Sequence, residues 1–269
     1  MKRYSAVVAL LLAACASAPA PISKERIAEI IASPDRRPAD RTNDLRRKPA
    51  DMLAFIGVRP GMLALDLFAG GGYTTELIAR ATGPTGRVYG QSRPRNPDGP
   101  KPPAPEGAAA PRTGAAPPAA PPNSPQALAE RAKNPAAANI VAVVRQFEDP
   151  VPPEVASGGL DLVTLMFNYH DLGWIGADRA RMNRAVFAAL KSGGMYVIAD
   201  HSGRPGTGIS ESGTLHRVEE ALVRREVEAA GFRLAAEGNF LRNPNDPRDK
   251  NTPEPPQPKD EFVFKFVKP

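Results

Sequence analysis

The sequence predicts a doubly wound α/β fold built on one mostly parallel sheet. Three observations predict it. Apolar, strand-like runs alternate with amphipathic helical segments along the chain. A glycine triplet, Gly70-Gly71-Gly72, closely follows the first of those runs. The last two runs have no helix between them.

The elements follow in order. Ser23-Lys24-Glu25-Arg26 begins an amphipathic helix in which Ile27, Ile30 and Ile31 share a face. Residues 40–56 hold a second helix, with Leu45, Met52, Leu53 and Phe55 as apolar contacts and Pro49 opening its main segment. Gly57 and Pro60-Gly61 end it. Met62 to Phe68 carries one carboxylate, Asp66, in an apolar run, which fits a strand covered on both faces. Three glycines let the backbone turn sharply and bring N–H groups close to a ligand. Tyr73 to Arg80 opens a helix whose first N–H groups are free for a polar or anionic ligand.

Arg87 to Gln91 is the second strand, and Gln126 to Lys133 a short helix. Between them, residues 92–125 are rich in Pro, Ala and Gly and almost lack large apolar side chains. Such a segment buries too little surface to offset its ordering entropy, so it reads as a disordered insertion. Strands follow at Ile140–Val144 and Leu160–Phe167. A helix over Arg179–Leu190 stops at Ser192-Gly193-Gly194, and Met195–Ala199 is the fifth strand. Leu215–Ala230 reads as a charged amphipathic helix ended by Gly231, and Phe232–Phe240 and Glu261–Val267 as the last two strands. The polar stretch from Leu241 to Asp249 reads either as a lid over a ligand or as a plain hairpin loop.

Composition limits the function. The 269 residues, 42% of them hydrophobic, allow one medium domain with a core of its own. A net charge of +6 is modest, and no aromatic residues interleave the basic stretch from Arg36 to Lys48, so no nucleic-acid partner is expected. Cys15 is the only cysteine, which excludes internal disulfides and a Cys-based zinc site. Residues 1–15 read as an export signal: Lys2 and Arg3, the apolar stretch Ala6–Ala14, then Leu12-Ala13-Ala14-Cys15. The last four residues resemble a bacterial lipobox, which makes Cys15 the lipid-bearing first residue of the mature chain. Cleavage after Ala18 or Ala20 is disfavoured because proline follows either cut. Ala16 after the cysteine implies the periplasmic face of the outer membrane in a Gram-negative host. Residues 16–22 are then a tether and 23–269 the domain.

The glycine loop is neither of two common nucleotide motifs. No Gly-Lys-Ser/Thr follows, so it is not a phosphate-binding Walker loop. Tyr73, Thr74 and Thr75 stand where the dinucleotide pattern needs its last glycine. Val58-Arg59-Pro60-Gly61-Met62, Leu65-Asp66-Leu67 and Ala69-Gly70-Gly71-Gly72-Tyr73-Thr74 instead resemble motif I of the class I S-adenosylmethionine-dependent methyltransferases. Tyr169-His170-Asp171, Ala199-Asp200-His201 and Leu215-His216-Arg217 make the chain similar to a group of predicted bacterial methyltransferases with export signals. The resemblance covers residues 40–269, less the insertion.

That resemblance implies a Rossmann-like, seven-stranded sheet closed by a C-terminal antiparallel hairpin, with S-adenosylmethionine as cofactor. It places Ala69, Gly70, Gly71 and Gly72 beside the methionine part of the cofactor, and Asp66 behind the loop. Glu148 and Asp149 stand near the adenine position. Gln91 stands where the family usually carries Asp or Glu for the ribose hydroxyls; an amide carbonyl accepts such bonds without charge assistance.

Ligands of doubly wound sheets sit outside the carboxyl ends of the parallel strands, and all three histidines fall there. His170, Asp171, His201 and His216 are the candidate catalytic residues. His170 is the favoured general base, because an unperturbed imidazole titrates near neutrality. The histidines with Asp171 or Asp200 could instead bind a metal. Their spacing does not decide this, and no metal ligand is assigned. Trp174 reads as packing on the helix after it rather than as a substrate wall.

Three functions compete. The first is methyl transfer to a small nucleophilic substrate by a protein tethered to the membrane through lipid. The second is a lipid-tethered domain that binds another small ligand. The third is a hydrolase or lyase that uses the histidine cluster, with or without a metal.

Overall fold

The computed structural model describes residues 19–95, 123–251 and 257–269. The export signal with Cys15, and most of the insertion read at 92–125, lie outside the described residues. The insertion's two ends are ordered elements: Ser92 ends a strand, and Ser124 and Pro125 form the first turn of a helix.

Three helices precede the sheet: α1 (Lys24–Ala32), α2 (Pro38–Arg47) and α3 (Pro49–Ile56). Ser23 caps α1 by accepting a hydrogen bond from the Arg26 N–H. The single helix expected over 40–56 is two. Pro49 lacks an N–H and disfavours helical backbone before it, and Lys48 takes φ +42° between the two helices. Leu45, expected as an apolar contact, is 83% exposed, whereas Met52 and Leu53 are buried.

Then come β1 (Leu63–Leu67), α4 (Tyr73–Thr82), β2 (Arg87–Ser92), α5 (Ser124–Arg131), β3 (Ile140–Val144), β4 (Leu160–Met166), α6 (Asp171–Ile175), α7 (Arg179–Ala189), β5 (Leu190–His201), α8 (Glu220–Ala229), β6 (Arg233–Gly238) and β7 (Glu261–Val267). α5 starts two residues before the expected Gln126, because Asn123 and Gln126 form a reciprocal capping box. α6 was not expected. α8 starts at Glu220, not Leu215. Leu215, His216 and Arg217 precede it in an irregular segment held by the Arg217 side chain.

Among the described residues the sheet has seven strands in the order β3-β2-β1-β4-β5-β7-β6. β1 to β5 pair in parallel; β7 runs antiparallel to both β5 and β6. The expected doubly wound sheet with its antiparallel C-terminal pair is therefore present. Apolar side chains pack on both faces of the sheet, around Leu65, Leu165 and Phe266 on one and Ala64, Leu162 and Val263 on the other. Strand order reverses beside β1, whose neighbours are β2 and β4. The crevice at the carboxyl ends of these strands is where such a sheet admits a ligand. No described helix is long and apolar enough to cross a membrane.

Candidate active site

A cleft of about 660 Å³ opens at those strand ends. Its walls include the glycine loop, Asp40, Arg47, Tyr73, Arg131 and Asn168. A cavity of similar size, about 680 Å³, is lined by Gly83, Pro84, Gly86 and Arg87. Those residues lead into the amino end of β2, away from the crevice, so the glycine-loop cleft is the candidate site.

The loop is built by position-specific demands. Gly70 and Gly72 take φ +54° and +80°, backbone that side chains rarely adopt. A Cβ on Gly72 would stand 2.8 Å from both Leu128 and Arg131 of α5. Gly71 has nothing within 4 Å of a Cβ position and borders open space. Arg131 fastens the loop. Its Nε donates to the Gly71 carbonyl, and its guanidinium pairs with Asp40 of α2 and Glu76 of α4. Ala69 N–H donates to the Gln91 carbonyl.

Asp66 is buried beneath the loop. It accepts hydrogen bonds from Thr75 Oγ1 (2.6 Å) and Thr164 Oγ1 (2.7 Å) and so ties α4 to β4. Burial pushes its carboxyl up to about 6 despite those donors. Gln91 is also buried, and both ends of its amide are spent. Its Oε1 accepts from the Phe68 N–H, and its Nε2 donates to the Arg145 carbonyl. Glu148 accepts from the Asp178 N–H, and Asp149 pairs with Arg145. Neither is among the residues lining the cleft.

Arg47 enters the cleft from the end of α2. It stacks over the rings of Phe167 (4.6 Å) and Tyr73 (5.3 Å) and makes no ion pair among the described residues. Its Nε is buried without a hydrogen-bond partner. Burial and the neighbouring Arg46 pull its pKa below the ordinary value. This is a desolvated cation beside a glycine loop. In the sequence, Arg47 is marked only by its place in the basic stretch from Arg36 to Lys48.

The structure brings two of the three histidines together with Asp171. His170 Nε2 lies 3.2 Å from Asp171 Oδ1, and His216 Nδ1 lies 3.7 Å from the same oxygen. One ligand atom from each of the three residues falls within 4.8 Å of the others. Asp200, at the end of β5, accepts from the His170 and His201 backbone N–H groups and meets His170 Nδ1 at 2.7 Å. Asp171 accepts from Trp174 Nε1 and Asn168 Nδ2. Trp174 is therefore an orienting donor to Asp171. The His201 ring lies 5.5 Å from that of His170, but its Nδ1 faces Glu261 Oε1 at 3.0 Å, off the line of a hydrogen bond, and has no hydrogen-bond partner among the described residues.

The electrostatics correct the expected base. Burial pushes His170 down, but Asp200 and Asp171 outweigh it and hold the imidazole at about 9. That shift favours the protonated imidazole, whose two ring nitrogens each face a carboxylate, over the neutral form a general base needs. Burial raises Asp171, yet His170, Trp174 and Asn168 hold it well below the carboxylate range. Burial, then Lys259, pushes His201 well below its usual value. Burial and the His170 charge lower His216.

Sequence reasoning missed the residue that fixes His216. The Arg217 side chain is fully buried in an ion pair with Asp246 at 2.9 Å. It also donates to the carbonyls of Ser202 and Lys250. The polar stretch after β6 is thus anchored to the segment before α8. Asp260 joins it by accepting from the Asn243 N–H and pairing with Arg248. The paired signs, Arg217 with Asp246 and Arg248 with Asp260, were present in the sequence. Nothing local linked positions so far apart.

A methyltransferase from Aquifex aeolicus, described as SAM-dependent, matches with a TM-score of 0.56 at 14% identity, over 91% of this chain and 98% of its own. A chain of the complex between the Haloferax volcanii Trm112 methyltransferase activator and its predicted methyltransferase matches with 0.53 at 16% identity, over 92% and 99%. A predicted sarcosine dimethylglycine methyltransferase from Galdieria sulphuraria matches with 0.51 at 16% identity, over 80% and 76%. The fold is that of the class I methyltransferases. No family model and no curated protein matches the chain.

Proposed function

We propose that this protein is an S-adenosylmethionine-dependent methyltransferase that acts on a small nucleophile. The observation that carries the reading is the pairing of the glycine loop with Arg47 across one cleft. The methionine part of the cofactor carries a carboxylate. An unpaired, partly desolvated guanidinium is suited to hold it by charge-assisted bonds. Gly71, with open space before it, lets the backbone approach the ligand closely. Methyl transfer needs little covalent chemistry from the protein, so alignment of donor and acceptor supplies most of the rate. Because Gln91 is spent on backbone groups, the ribose lacks the charged acceptor usual in this fold.

Calorimetric titration with S-adenosylmethionine tests the reading. The wild type should bind, and Gly71→Arg should not. Arg47→Leu should weaken binding about 10-fold or more, the loss of one charge-assisted bond. Absence of binding to the wild type at millimolar donor refutes the proposal.

The protein is further proposed to be exported and anchored through lipid on Cys15. Lys2 and Arg3, the apolar stretch and Leu12-Ala13-Ala14-Cys15 support this. Metabolic labelling with a radioactive fatty acid should mark the wild type and leave Cys15→Ala unlabelled. Equal labelling of both, or of neither, refutes it.

A further inference from the structure

We propose that His170, Asp171 and His216 form a binding site for a divalent transition-metal ion. The inference stands apart from methyl transfer and is tested without a methyl donor.

The first argument is distance. A metal with bonds near 2.1 Å holds neighbouring ligand atoms roughly 3–3.5 Å apart. His170 Nε2 and His216 Nδ1 already stand 3.2 and 3.7 Å from Asp171 Oδ1. The three atoms lie within 4.8 Å of one another. Small rotations of side chains would close the set, and His216, the most exposed of the three, has room to make them.

The second argument is the support behind the ligands. Asp200 meets His170 Nδ1 at 2.7 Å. Asp200 holds the proton on that nitrogen, so a metal would displace only the Nε2 proton, which faces Asp171, and take that lone pair. This carboxylate–histidine arrangement is the usual backing of a metal-bound imidazole. Asp200 is itself fixed by two backbone N–H groups. Asp171 has two orienting donors, Trp174 and Asn168.

The third argument concerns His216. An ion pair of His170 with Asp171 and Asp200 needs no third residue. His216 is nevertheless held beside it with φ +51°, strained for a side chain other than glycine. Its Nδ1 stands 3.7 Å from Asp171 Oδ1, longer than an ordinary hydrogen bond, with the ring aimed at the carboxylate that His170 also faces. The buried Arg217 next to it holds the segment in place.

Two imidazoles and one carboxylate suit Zn²⁺, Co²⁺, Ni²⁺ or Fe²⁺ better than Mg²⁺ or Ca²⁺. Three protein ligands leave a position for water or for a substrate oxygen. Asn168 bonds Asp171 and also lines the glycine-loop cleft, so the site adjoins that cleft.

The probe is Co²⁺, titrated into the full-length protein after chelator treatment. One equivalent should bind and give visible d–d absorption. His216→Ala and Asp171→Asn should abolish the bands while circular dichroism stays unchanged. Asp200→Asn should keep the stoichiometry and weaken affinity about 10–100-fold, as loss of an outer partner does. His201→Gln should bind Co²⁺ as the wild type does. If His216→Ala does not fold, the Co²⁺-loaded wild type decides: its proton NMR spectrum should show paramagnetically shifted N–H signals from two imidazoles. No binding by the wild type at millimolar Co²⁺, or shifted signals from fewer than two imidazoles, overturns the proposal. Bands retained in both His216→Ala and Asp171→Asn overturn it as well.

Discussion

Arg131→Met tests whether the glycine loop is held by a buried charge cluster. Arg131 is the cation shared by Asp40 and Glu76, and all three side chains are at most 6% exposed. Methionine fills much of the volume but removes every bond the guanidinium makes. Glu76 keeps Arg80 as a partner at 2.9 Å. Asp40 loses both of its bonds to Arg131, at 2.6 and 2.9 Å, and is left buried and charged. Removing one partner of a buried pair costs about 3–5 kcal/mol, most of it from the charge left behind. A domain of this size loses roughly 2–4 °C of Tm per kcal/mol, so the variant should melt about 6–20 °C lower. Scanning calorimetry reads this directly. Asp40→Asn added to Arg131→Met should recover part of the loss, because it removes the stranded charge. A drop below about 1 kcal/mol would place the cluster with solvent-screened surface pairs and refute the reasoning. So would a double variant no more stable than Arg131→Met alone.

Other expectations follow from the same structure. Gly72→Ala should cost about 1–3 kcal/mol from its left-handed backbone, and more from the contact with Leu128 and Arg131, while Gly71→Ala stays within about 0.5 kcal/mol. Equal melting temperatures for the two variants would contradict the loop geometry. Asp66 titrates near 6 in the fold, against an ordinary value of 3.8. The folded state therefore binds that proton more tightly than the unfolded chain, and Asp66 lowers stability as pH rises from about 4 to 6, by about 3 kcal/mol in all. Urea denaturation across that range should show the slope in the wild type and lose its Asp66 share in Asp66→Asn; an unchanged slope would refute the assignment. Arg217→Met should free the 241–251 segment, so that limited proteolysis cuts there in the variant and not in the wild type. Identical cleavage patterns would mean that the segment does not depend on Arg217.

Legibility of the chain followed the range of the interactions. β1 and β3 were readable because each is a short, largely apolar run with its own boundaries. The glycine loop was readable because its demand is local, two positive φ angles beside one open position. The start of α8 was misread. Leu215 and Arg217 fit a helical pattern, but Arg217 gains more from Asp246 and two carbonyls than from a helical turn. Leu45 fits an apolar stripe that is left exposed among the described residues. Within the site, the sequence located His170, Asp171 and His216 at the right strand ends. It could not show that His201 turns towards Glu261, because that contact depends on the pairing of β5 with β7. Nor could it show that Asp200 raises the pKa of His170, which depends on a distance of 2.7 Å between the end of β5 and the segment after β4.

Backbone strain ties these features together. Five described residues other than glycine have positive φ. Two directly follow strands beside the crevice: Phe68 after β1 and Phe167 after β4. A third, His216, lies between β5 and α8. Each costs of order 1–3 kcal/mol unless its surroundings over-determine it. The surroundings do so here. Phe68 N–H is held by Gln91, and Phe167 N–H by the Ala199 carbonyl. Phe167 also lies under the guanidinium groups of Arg46 and Arg47. The spent amide of Gln91 then has a physical account. A carboxylate there could accept from Phe68 but could not donate to Arg145, and its charge would need solvent or a ligand. The amide satisfies both neighbours with no ligand bound. The chain fixes the first strand-to-loop turn internally, where an acidic residue would have kept an acceptor free for the ribose.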